Sequence, residues 1–111
     1  MNKKIGQPSY IVVLVTVKDP EAAQKITSTL LKRRQAACIN IVPGVESHFW
    51  WKDKLDSSRE SLLIVKTKEA LLPDVIRTVK KLHGESIPEI IALPIIGGSR
   101  DYLEWLDSET I

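Results

Sequence analysis

One cysteine, Cys38, and two histidines, His48 and His83, bound the metal and nucleophile chemistry open to this 111-residue sequence. A neutral imidazole suits copper or zinc. His83-Gly84-Glu85 sets a carboxylate two residues beyond one, so a weak divalent-cation contact at His83 and Glu85 is one expectation. The competing reading is a histidine at a helix end, bonding the last carbonyls. Cys38 stands in an apolar run with no general base beside it, which reads as a core thiol. No catalytic residue is assigned, and the chain reads as non-enzymatic. His48 reads as solvated or at an interface. Lys66 and Glu89 sit where apolar runs end, and charges there need a partner or a cleft. With Tyr102 they are expected to line a polar cleft, or else to form a plain Lys–Glu pair at a sheet end. Gly97-Gly98-Ser99 resembles an anion-binding turn only weakly, and a turn followed by an N-cap is the simpler reading.

The elements that carry these residues follow from periodicity. The β-branched run over residues 10–17 has no alternation, as in a strand covered on both faces. Asp19-Pro20-Glu21 supplies an N-cap, an N1 proline and a first-turn acid for a helix reaching about Gln35. Lys32, Arg33 and Arg34 suit its negative end. Residues 37–42 form a second strand, interrupted at Pro43-Gly44 and resumed over 45–51. The polar stretch 52–59 reads as a hairpin tip, and 60–67 as the returning strand. A second helix spans about 70–83 and stops at Gly84. Residues 89–96 make a fourth strand whose Pro94 belongs at an edge, and Ser99 caps a short helix over 101–106. Residues 1–9 read as a loose leader, ahead of one domain over 10–111.

The order β-α-β-β-α-β points to an α+β, ferredoxin-like sandwich. Right-handed crossovers set both helices on one side of its sheet, and the other face of a monomer should then be polar. Yet 11–17, 62–65 and 90–96 are apolar on consecutive positions, hence on both faces. Length gives a second argument. Residues 38–51 extended would span roughly 45 Å at about 3.3 Å per residue, whereas a domain of this size has a radius of gyration of about 13 Å. The hairpin should overhang its domain, carrying Phe49, Trp50 and Trp51. Three projecting aromatics are expected to pack on another subunit. A hairpin folded back over its own sheet is the alternative.

Composition narrows the function. Sixteen Lys and Arg against fourteen Asp and Glu leave a net charge of +2, too little for a nucleic-acid footprint. The N-terminal apolar run is too short to span a membrane, and no small-residue cleavage site follows it. The cytoplasm is the expected compartment.

The segments 36–44 leading to Trp51, Leu63-Ile64-Val65-Lys66-Thr67, His83, 87–94 and Tyr102-Leu103-Glu104-Trp105 together resemble the CutA family of divalent-cation tolerance proteins. The likeness spans residues 10–106. It implies a homotrimer with long hairpins extending the sheets between subunits, and a role in tolerance to copper and other divalent cations. The copper site proposed in some members joins a first-strand cysteine to two consecutive histidines at the end of the second helix. Here those positions hold Val15, Leu82 and His83, so only the last matches, and a Glu85 oxygen would favour zinc or manganese over Cu(I). A runner-up reading is a small-molecule signalling trimer like the PII proteins, and a third is a scaffold with no small ligand.

Overall fold

A computed structural model of the chain describes residues 9–111; the first eight residues of the expected leader lie outside that range. Strand β1 (Tyr10–Val17) leads into helix α1 (Pro20–Lys32), followed by β2 (Cys38–Trp51), β3 (Lys54–Lys68), α2 (Leu72–His83), β4 (Ile90–Pro94) and α3 (Arg100–Glu109), with a single 3-10 turn over Glu69–Leu71 ahead of α2. The sheet order is β2-β3-β1-β4, with all neighbours antiparallel. This is the ferredoxin-like arrangement: each helix crosses between two parallel strands that have a third strand inserted between them. Ser9, grouped by sequence with the leader, is tied down, its carbonyl accepting from Glu69 N at 2.8 Å.

The helices form as their ends dictate. The Asp19 carboxylate caps α1 by accepting from Glu21 N, with Pro20 in the first turn. The other end stops at Lys32, three residues short of the sequence expectation. Arg34 takes a positive φ of 58°, its N–H returning to Leu31 O and that of Gln35 to Leu30 O. This is a left-handed helix stop in which arginine holds the place usually taken by glycine. Gln35 then braces the next elements: its backbone carbonyl accepts from Thr67 Oγ1 and its side-chain oxygen from Thr78 Oγ1, both at 2.7 Å. Helix α2 ends conventionally, at Gly84 with φ 86°.

Burial divides the sheet by the period of a strand. Ile11, Val13, Val15 and Val17 of β1 and Leu63 and Val65 of β3 face the helices, where they pack with Ala23, Ile26, Leu30, Val75 and Val79. Each fully buried aliphatic side chain there contributes about 1.5–3 kcal/mol relative to exposure. The alternate residues, Val12, Leu14 and Thr16 on β1 and Leu62, Ile64 and Lys66 on β3, lie on the other face and are only half-buried. On β4, Ile91 and Leu93 are 52% and 49% exposed.

The hairpin departs from expectation in a useful way. Pro43-Gly44 does not break β2; it makes a bulge between Val42 and Val45, with Gly44 at φ 70° beneath the Arg59 guanidinium. Residues 54–59, read by sequence as a polar tip, are ladder: Glu46 pairs with Arg59 and Trp50 with Leu55. The turn itself is only Lys52-Asp53, both at positive φ, as a two-residue I′ hairpin requires. The hairpin therefore runs out as a two-stranded ribbon, not folded back, and the molecule measures 45 × 30 × 22 Å.

The glycines give a test of this backbone. A Cβ on Gly84 would meet nothing within 4 Å, so its cost is purely that of the left-handed conformation. Gly84→Ala is expected to lower stability by about 1 kcal/mol, read as a lower urea midpoint at unchanged slope. Gly97, at an ordinary φ in open space, should tolerate alanine within about 0.5 kcal/mol.

Candidate functional site

The half-open face of the sheet gathers polar groups at one place. Cys38 on β2 lies opposite Lys66 on β3, which in turn lies opposite Val12, and Val12 opposite Leu93. One step along the strands, Asn40, Ile64, Leu14 and Ile91 form the next row. Lys66 Nζ donates to Asn40 Oδ1 and lies 3.8 Å from Cys38 Sγ. Tyr102 of α3 stands beside the same thiol, whose charge and hydrogen bonding act on its hydroxyl, and its ring packs on Trp105 at 5.5 Å between centroids, tilted by 42°. Burial, then the charge and hydrogen bonding of Cys38, push the Tyr102 phenol above its ordinary value, so it stands there as a neutral donor.

Helix α3 reaches this position because its ends are fixed. The Ser99 hydroxyl accepts from Tyr102 N, Leu106 is fully buried, and Tyr10 Oη donates to Asp107 Oδ1 at 3.3 Å. Lys68 Nζ lies 3.6 Å from the same carboxylate and also donates to the carbonyls of Thr110 and Ile111. Arg34 pairs with Glu109 at 2.6 Å. Burial, followed by the Asp107 charge, raises the Tyr10 phenol as well.

The sequence-predicted residues do not converge on one point within a chain. Lys66 and Tyr102 meet, with Cys38 between them. Cys38 is thus half-buried on the open face and not the core thiol the sequence suggested. Glu89 is exposed just before β4, at the opposite end of the β1 ladder, and the plain Lys66–Glu89 pair is not formed. His83 is only 6% exposed, and its Nε2 lies 2.6 Å from the Thr16 carbonyl. That nitrogen therefore carries the hydrogen and fastens the end of α2 to β1, whereas the sequence reading had it serve carbonyls of its own helix. Its Nδ1 is buried without a partner, and Glu85 is exposed beyond the helix. Among the described residues no three His, Cys, Asp or Glu side chains gather as metal ligands. His48 is exposed, 3.9 Å from Glu46. Phe49 and Trp51 share one face of the ribbon, while Trp50 lies on the other at 70% exposure beside Leu55 at 72%. Asn40 was the partner that sequence reasoning missed. Its only signal was a polar residue alternating with Ile39 and Ile41 on a strand.

Comparison with known proteins bears on this geometry. The family described as CutA1 divalent ion tolerance protein matches residues 11–109. The chloroplastic CutA 1 protein of Oryza sativa is 48% identical over 100 residues, covering 90% of this chain and 56% of its own length. The divalent-cation tolerance protein CutA of Thermus thermophilus is 46% identical over 99 residues, covering 89% of this chain and 96% of its own. The chain spans little more than half of the plant relatives it matches, 56% and 55%. Among solved structures, CutA1 from Oryza sativa superposes with a TM-score of 0.90 at 47% identity, covering 93% of this chain and 94% of that one. The Thermus thermophilus protein does so at 0.89 and 44%, covering 91% and 98%.

The two phenols predict an alkaline limit. The fold favours their neutral forms, so their contribution is complete below the ordinary value of 10.0 and is lost as pH rises through the raised folded values. Phenolate absorbance of the folded protein should develop above pH 10.0, later than in the unfolded chain. The thermal midpoint should fall over the same range, and less steeply in a Tyr10→Phe, Tyr102→Phe variant. Coincident folded and unfolded titrations would contradict the assignment.

Proposed function

The chain belongs to the CutA1 family of divalent ion tolerance proteins, and from that premise we propose that it acts as a homotrimer in tolerance or response to divalent metal ions such as copper. The observation that carries the proposal is the apolar face of the sheet that both helices leave uncovered, with Ile91 and Leu93 half exposed; along the ribbon that face bears Phe49 and Trp51, and Trp50 stands out on the opposite face. Apolar surface on an open sheet face and on an overhanging arm marks an interaction site on a small protein. Phe49, Trp50 and Trp51 are the proposed contacts with neighbouring subunits. Lys66, Glu89 and Tyr102 are proposed to line the clefts between subunits, where residues far apart in one chain approach across the assembly.

The residues present do not form a closed metal site within one chain: the His83 Nε2 is engaged by Thr16, and Glu85 is its only acidic neighbour in sequence. The cation contact proposed for His83 and Glu85 is accordingly weak, with copper or zinc the candidate ions. The relatives are named for ion tolerance and not for a reaction, in keeping with a non-enzymatic role. No described helix is long and apolar enough to cross a membrane. The cytoplasm is the proposed compartment, although relatives are named chloroplastic in rice and periplasmic in Archaeoglobus fulgidus.

Light scattering should give a mass about three times the 12.5 kDa chain, and Leu93→Glu, which puts a charge on the uncovered face, should reduce it. A monodisperse wild-type monomer would refute the assembly. Titration calorimetry with Cu²⁺ and Zn²⁺ should show weak heats that diminish in Glu85→Gln and in a folded His83→Gln variant. Heats identical to wild type in both variants would remove His83 and Glu85 from the site.

A further inference from the structure

On the uncovered face of the sheet, Lys66 is a cation with no acidic side chain within ion-pair distance among the described residues. Its neighbours across the strands are Cys38 and Val12; the row towards the hairpin holds Asn40, Ile64, Leu14 and Ile91, and the row on the other side holds Lys68 and Tyr10. The Lys66 ammonium contacts a neutral amide oxygen and a thiol. Three of the four carboxylates of nearby α3 are engaged elsewhere: Asp107 by Lys68 and Tyr10, Glu109 by Arg34, and Glu104 by Arg100 at 3.7 Å; the fourth, Asp101, is exposed in the first turn of the helix and makes no ion pair with Lys66. The only other lysine on this face of β3 at the same end, Lys68, has its acid.

The groups around Lys66 are donors. Asn40 gives its oxygen to the ammonium, which leaves its NH₂ directed elsewhere. Tyr102 stands beside Cys38, whose charge and hydrogen bonding act on its hydroxyl. An ammonium and an amide NH₂ in one patch are matched by oxygens bearing negative charge and repel a metal ion. The same face is the one proposed to be covered in the assembly, and an ammonium taken out of water requires a compensating anion.

We propose that Lys66, with Asn40 and Tyr102, is the seat of an anionic oxygen group, a carboxylate or a phosphate, on the uncovered face of the sheet. The proposal deepens the cleft reading above and rests on it only for the location between subunits. The oxygen has two sources, a free small anion or an acidic side chain of a second copy of this chain, and the recognition chemistry is the same. The Tyr102 ring beside Cys38 packs on Trp105, and both are about two-fifths exposed, at 42% and 41%.

Calorimetry with sodium phosphate and with sodium succinate, at constant ionic strength, is run on wild type, Lys66→Met and, as a control, Lys81→Met on the outer surface of α2, with light scattering on the same samples. A free anion is indicated if wild type and Lys81→Met bind one of the two probes, and Lys66→Met binds it at least tenfold more weakly at unchanged mass. An acid of the second copy is indicated if no probe binds and Lys66→Met alone loses assembled mass. Methionine in place of an unpaired lysine would tighten an apolar contact, so such a loss reports a counter-ion. Lys66→Met indistinguishable from wild type in both affinity and mass overturns the proposal. A monomeric wild type that binds phosphate through Lys66 would keep it and refute the assembly, and a trimer indifferent to Lys66→Met would do the reverse.

Discussion

Packing of α1 and α2 onto one side of the β2-β3-β1-β4 sheet governs the rest of this molecule. Right-handed crossovers allow no other side for the second helix once the first is placed. The odd-numbered residues of β1 and β3 consequently enter a close-packed core, and the even-numbered ones remain on a face that no helix of the central pair can reach. A polar second face would have completed a monomer. Val12, Leu14, Leu62, Ile64, Ile91 and Leu93 make it apolar instead.

Other features answer to that uncovered face. Helix α3 folds over its end near Tyr10 and Lys68, held there by Asp107, the C-terminal carbonyls and the buried Leu106. The cover is partial, and it leaves Tyr102 and Trp105 at its rim beside the Cys38–Lys66–Asn40 group. The hairpin extends the same sheet beyond the core, and its bulge at Val42/Val45 changes the direction of the ribbon where intrachain support ends. From that point outward both faces of the ribbon are open, and Trp50 and Leu55 face water in a single chain.

Chemistry is distributed accordingly. The one buried histidine serves the fold, joining α2 to β1, and this use of Nε2 explains why His83 and Glu85 do not form a strong cation site in one chain. Lys66, on the face where another subunit is proposed to sit, has no acidic partner among the described residues. A protein of a family named for divalent cations is thus proposed to receive an anion on the open face of its sheet.

Much of this was legible in the order of residues. The β-α-β-β-α-β order, the Asp19 cap, the Gly84 stop, the Ser99 cap, the edge position of Pro94 and the two-sided apolarity of the strands all follow from periodicity and local backbone chemistry, because those depend on neighbours a few positions away. What failed was of two kinds. Arg34 and the Lys52-Asp53 turn adopt left-handed conformations without glycine, so the composition carried no signal for them, and α1 ends earlier and β3 starts earlier than expected. The other failures concern pairs. Whether Lys66 meets Glu89 or Asn40, whether His83 bonds its own helix or Thr16, and whether Cys38 lies in the core or on the open face depend on strand register and on which side of the sheet a residue falls. A one-residue change in register reverses the face of every side chain. The sequence alone therefore determined the elements and the surplus of apolar surface, and only the tertiary structure decided which polar groups share that surface.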